Sequence, residues 1–116
     1  MTLFQSLNYK LCVSLGVRSA VLAPVRAVFD TGAGPNLVRD DLLPRGWESL
    51  LLPDQPLPRI TNASGKRMPV KGVIVLYIQV GGLRTRFRFY VVPGLGVPCI
   101  LGCNFIDIHV RSIHPK

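Results

Sequence analysis

An all-β fold is predicted by the punctuation of this chain and by the period of its apolar residues. Eleven Gly and ten Pro in 116 residues cut the sequence into short segments, which suit strands joined by turns better than packed helices. Hydrophobic residues make up 48% of the chain, and they recur in runs rich in Val, Ile and Phe, the side chains that fit a pleated surface. A chain of this length buries about two thirds of its unfolded surface around one core, so a single domain over residues 1–116 is expected.

The elements follow in order. Residues 9–16 alternate Leu11, Val13 and Leu15 with Cys12 and Ser14, the period of a strand, and residues 18–24 should turn the chain back. Residues 25–29 form a second apolar strand, which stops at Asp30-Thr31-Gly32-Ala33-Gly34-Pro35, a run of turn formers. Leu37-Val38 is a short third strand. Asp40 is expected to cap one helical turn ended by Pro44. Residues 45–58, with Pro53, Pro56 and Pro58, read as a loop or edge segment in which Trp47 plugs the core or its rim.

Residues 60–70 set Asn62-Ala63-Ser64-Gly65 between two arms that can extend, which predicts a hairpin. Residues 73–80 are a long apolar strand, joined through Gly81-Gly82 to another at 83–92. In that second strand Arg84, Arg86 and Arg88 alternate with Leu83, Thr85, Phe87 and Phe89, so one face is basic and solvated while the other is buried. A Gly- and Pro-rich connection over residues 93–98 leads to Cys99-Ile100-Leu101, where Gly102 permits close backbone approach. Residues 103–107 should form a helical turn that Asn104 ties down by side-chain hydrogen bonds, and residues 108–113 should make the terminal strand.

The formal charge of +8 would suit an anionic partner if the basic residues clustered. Lys10, Arg18, Arg26, Arg39, Arg45 and Arg59 are instead scattered singly, and no aromatic residues are interleaved to stack bases, so direct nucleic-acid binding is not expected. Cys12, Cys99 and Cys103 cannot all pair, and they lack a zinc-like spacing. Reduced thiols and no metal are the reading. Gln5, Asn8 and Lys10 interrupt the apolar positions at the start of the chain, which argues against a signal-peptide core or a membrane span. An intracellular location is expected, in the cytoplasm or inside a particle.

Asp30 draws the functional reading. It stands where a buried strand ends, and a charged carboxylate beside a core must be paired, hydrogen-bonded or perturbed in its pKa. Asp-Thr-Gly alone is also what an ordinary turn between strands would use. A second motif follows about seventy residues later, Ile100-Leu101-Gly102-Cys103-Asn104-Phe105. Phe29-Asp30-Thr31-Gly32-Ala33 and this second motif together resemble the retropepsin family of aspartic proteases, the retroviral and LTR-retrotransposon type. Many retroviral members carry an acidic residue where this chain has Gly34, and often Arg where it has Cys103, so the resemblance is nearer to the retrotransposon branch.

The resemblance implies a closed retropepsin-like acid-protease β-barrel with a flap hairpin and one short helix, acting as a homodimer. It also implies an aspartic endopeptidase that cleaves an extended peptide or retroelement polyprotein without metal or cofactor. Asp30 would be catalytic, and Thr31, Gly32 and Ala33 would shape its loop. Gly34 with Ala63, Ser64 and Gly65 would contact substrate; Ile100, Leu101, Gly102 and Asn104 would form the supporting motif. No second Asp is followed by Thr or Ser and Gly, so the partner carboxylate must come from a second subunit. Two other readings stand beside this one: a non-proteolytic retropepsin-like domain for dimerisation or peptide binding, and a basic nucleic-acid-binding β-barrel in which Asp30 is a turn residue.

Overall fold

A computed structural model of the chain describes residues 10–17, 20–29, 35–62, 64–80 and 83–102. Strands dominate, joined by two short 3-10 turns. β1 (Lys10–Val17) and β2 (Ala20–Phe29) form an antiparallel hairpin, with Val17 opposite Ala20 and a register shift between Leu15 and Gly16. The turn is therefore tighter than residues 18–24 suggested, and Pro24 lies inside β2 opposite Ser14. β8 (Cys99–Leu101) pairs with Ala27, Val28 and Phe29 of β2, so among the described residues no strand pairs with β2 beside Pro24 on the edge away from β1, where a missing N–H is tolerated.

β3 (Asn36–Val38), the two-stranded pair β4 (Ile60–Thr61) and β5 (Arg67–Met68), and the long strands β6 (Gly72–Val80) and β7 (Leu83–Val91) complete the set. The larger sheet runs in the order β1-β2-β8-β3-β7-β6, and β6 returns to β1 through Ser14, Leu15 and Gly16. Val80 pairs with Leu83, which makes β6 and β7 a hairpin across a two-residue link. β6 and β7 then alternate as their period requires. Ile74, Leu76, Ile78, Phe87, Phe89 and Val91 turn inward onto one cluster with Ala27, Val38, Cys99 and Leu101.

Trp47 packs against that cluster from a 3-10 turn, Trp47–Leu50, inside the stretch expected to be irregular. The turn at Asp40–Leu42 forms as well, but Arg39 rather than Asp40 occupies its N-cap, without a side-chain cap bond. Arg39 is extended and its carbonyl accepts the Leu42 N–H at 3.2 Å, which places Asp40 within the first turn. The Arg39 side chain reaches instead to Asp41, with Nε donating to Oδ1 at 2.6 Å.

A second buried cluster lies on the other side of the sheet: Leu37, Ile60, Val92, Leu95 and Ile100, with Met68, Val70 and Tyr90 packed on it. β3 and β8 contribute to both clusters, Val38, Cys99 and Leu101 to the first and Leu37 and Ile100 to the second. Strands covered on both faces need apolar residues at every position, which is why Leu37-Val38 and Cys99-Ile100-Leu101 are continuous apolar runs. No helix of the described residues is long and apolar enough to cross a membrane.

Candidate active site

The site is framed by the ends of three strands. β2 runs parallel to β8, with Phe29 opposite Leu101, and β3 runs antiparallel to β8, with Leu37 opposite Ile100. The chain therefore leaves β2 and enters β3 at the same end of β8, on either side of it. Phe29, Asn36 and Gly102 are thereby gathered at that end of β8. Asp30, Thr31, Gly32, Ala33 and Gly34 themselves lie outside the described residues, as do Ala63, Cys103 and Asn104, the helical turn at 103–107 and the terminal strand at 108–113.

One side-chain bond fastens β3 to the end of β8. The Asn36 side chain is buried, and its Oδ1 accepts the Gly102 N–H at 2.9 Å. That bond ties the first residue after the loop to the end of β8, between residues 66 positions apart in sequence. Leaving either group unpaired at this depth would cost about 1–3 kcal/mol. Sequence reasoning missed Asn36, since an Asn after Gly-Pro reads as one more turn residue. The signal available was a polar residue at the start of an otherwise apolar strand. Ile100 and Leu101, expected beneath the loop, are 5% and 0% exposed and point to opposite clusters. Cys99, beside them in β8, is a free and fully buried thiol, and burial pushes its pKa well above the ordinary range.

The hairpin predicted over residues 60–70 forms, with Ile60 opposite Met68 and Thr61 opposite Arg67. Its base is seated on the second cluster through Ile60 and Met68, the same cluster that holds Leu37 and Ile100 of the frame. Its tip is exposed and organised by Asn62, which the sequence placed in the turn without a role of its own. Asn62 Oδ1 accepts from the Ser64 N–H at 3.1 Å, the Ser64 hydroxyl at 2.8 Å and the Lys66 N–H at 2.9 Å. The Asn62 N–H donates to the Lys66 carbonyl, and the Gly65 N–H to the Asn62 carbonyl. Gly65 has φ +85°, with nothing within 4 Å of where a Cβ would stand, so the position asks for glycine through its backbone and not through crowding. Among the described residues no three His, Cys, Asp or Glu side chains gather as a metal site would require.

Comparison with known proteins decides the family. Residues 15–105 match the aspartyl protease family. The chain belongs to that family. Solved structures agree on a retropepsin-like fold: the retroviral protease-like domain of Ddi1 from Leishmania major is 21% identical, with a TM-score of 0.60 over 87% of this chain and 78% of that one. An inhibitor-bound EIAV protease is 16% identical, with a TM-score of 0.62 over 95% of each chain. Simian foamy virus (mac) protease is 15% identical, with a TM-score of 0.51 over 93% of this chain and 99% of that one. No curated protein sequence matches significantly. In this aspartyl protease family member the match includes both the residues 30–34 loop and the β8 strand that its ends enclose.

Proposed function

We propose that this chain is an aspartic endopeptidase working as a homodimer, each subunit supplying one Asp30 to a shared site. The observation that carries the reading is the frame: β2 and β3 flank β8, and the Asn36–Gly102 bond fastens the far side of the loop that bears Asp30. Asp30 is the one carboxylate of the chain followed by Thr-Gly, so a dyad needs two copies related by a twofold axis. Two carboxylates a few ångströms apart hold one proton between them, a property for which this enzyme class is itself the standard illustration. One Asp30 takes a proton from a water held between the pair while the other donates to the scissile carbonyl oxygen.

Thr31 would brace the two loops across the axis, and Gly32 would let backbone approach the carboxylates. Ala33 and Gly34 would line the floor, and Ala63, Ser64 and Gly65 the roof, of a cleft for an extended peptide. The hairpin would serve as a lid over substrate. A retroelement polyprotein is the substrate class we assign, met in the cytoplasm or inside a retroelement particle.

The test is digestion of a random peptide library read by mass spectrometry, with initial rates measured across three decades of enzyme concentration. Wild type should cleave, with a rate that rises as the square of total protein below the dimer constant. Asp30→Asn should lose at least ~100-fold in rate, the low end of what a positioned acid or base contributes, while sedimenting as wild type does. Cleavage retained by Asp30→Asn, or first-order dependence with a monomeric sedimentation coefficient, overturns the proposal. A dimer that binds peptide without cleaving it supports the non-proteolytic reading.

A further inference from the structure

The outer face of the β6–β7 hairpin carries a row of positive charge that the protease reading does not use. Arg84, Arg86 and Arg88 are all exposed, at alternate positions of β7, opposite Gln79, Tyr77 and Val75 of β6. Alternate residues of a strand stand about 6.6–6.8 Å apart, so the three guanidinium groups rise from the sheet as an evenly spaced line. Two of them converge. The guanidinium carbons of Arg84 and Arg86 lie 5.3 Å and 6.0 Å from the centre of the same Tyr77 ring, whose negative face attracts each. Arg88 reaches Gln55, its Nη1 donating to Oε1 at 3.4 Å.

No carboxylate among the described residues pairs with any of the three, although Asp40, Asp41, Glu48 and Asp54 are all described. Like charges gathered on one ring, with no counter-charge among the described residues, raise the local positive potential, which a polyanion relieves. The groups are Arg, whose planar fork grips two phosphate oxygens at once, and they form a line rather than a pocket, which suits a repeating charge and not a compact ligand. Among the described residues no helix or free aromatic ring accompanies the row to enter a groove or stack a base, so contact would be with backbone alone. We infer that this face binds the phosphate backbone of nucleic acid without regard to sequence, independently of the protease site. Spacing in the sequence suggested only a solvated edge; the fold adds the shared tyrosine and, among the described residues, the absence of acidic partners around it.

Binding of a fluorescent oligouridylate to the full chain, titrated from 50 to 300 mM salt, tests the inference. Each phosphate contact on a single strand contributes about 0.7 to the slope of log K against log salt. The triple variant R84Q/R86Q/R88Q should therefore flatten the slope by about 2 and weaken binding at low salt. R84K/R86K/R88K should keep most of the slope yet bind less tightly, since charge remains while the forks are lost. Circular dichroism and urea midpoints matching wild type would show that both variants fold. Unchanged slope and affinity in the Gln variant would overturn the inference. So would binding of polyglutamate as tight as that of oligouridylate, which would make the face a site for acidic peptides.

Discussion

Asn36 is 3% exposed and accepts one N–H from Gly102, 66 positions away, whereas Asn62 stands at an exposed tip and accepts three bonds from within four residues. Both use a side-chain carbonyl to hold backbone that turns away from regular pairing. The surroundings set what each bond is worth. Around Asn36 the strands are covered on both faces, so an orphaned N–H cannot turn to water. Around Asn62 water replaces a lost partner, and the bond shapes the tip without contributing much to stability. The Asn36 contact is thus fixed by burial, while the hairpin combines a buried base with an exposed tip, the combination the proposed lid would use.

The strongest way to break this contrast is Asn36→Ala, which leaves the Gly102 N–H unpaired in the interior. We expect a loss of about 1–3 kcal/mol in urea unfolding, together with faster exchange of the Gly102 amide and a fall in cleavage rate. A loss confined to rate, with stability unchanged, would show that water enters at Gly102. At the hairpin, Gly65→Val should cost about 1–2 kcal/mol of local backbone strain, because φ +85° is a left-handed conformation that a β-branched residue resists. Seated on an exposed tip, that strain should appear as lower kcat and faster exchange around Ser64 more than as a shifted urea midpoint. Equal losses in rate and global stability would make the hairpin a structural element.

Alkaline pH offers a gentler separation. Cys99 belongs to the frame, and burial raises its thiol pKa, so the folded chain holds that proton more tightly than the unfolded one. Its contribution is fully present below the ordinary thiol range, about 8.5, and is lost progressively as pH rises above it toward the folded value. The decline should reach at most about 1.4 kcal/mol per pH unit. Urea midpoints of wild type and Cys99→Val should run parallel between pH 6 and 8 and converge or cross above pH 9. Parallel curves throughout would mean that the thiol ionises in place.

Much of the architecture was legible in the chain because strand periodicity and turn chemistry are local. The alternation of Arg84, Arg86 and Arg88 against Phe87 and Phe89, the hairpin at residues 60–70 and the two-residue link before β7 all follow from residues that are neighbours in sequence. The paired motifs around Asp30 and Ile100-Leu101-Gly102 named the family that residues 15–105 match. Pro24 misled, since its missing N–H marks a turn unless the second edge of its strand is open, and which edge is open is a property of the assembled sheet. Asp40 misled in a smaller way: whether it or Arg39 stands at the cap depends on where β3 ends, fixed in part by the Arg39 N–H donating to the carbonyl of Pro98 at 3.0 Å.

By itself the sequence determined the mostly-β class, the long strands β6 and β7 and the identity of the motif residues, because each depends on the conformational preference and burial of a few adjacent side chains. Only the tertiary structure decided that β8 lies between β2 and β3, that Asn36 rather than another polar residue secures the loop between them, and that two arginines meet over Tyr77. Those are contacts between segments distant in sequence. Their energy comes from excluding water around groups that do not meet until the sheet has formed, and no local pattern of residues records which partner each will find.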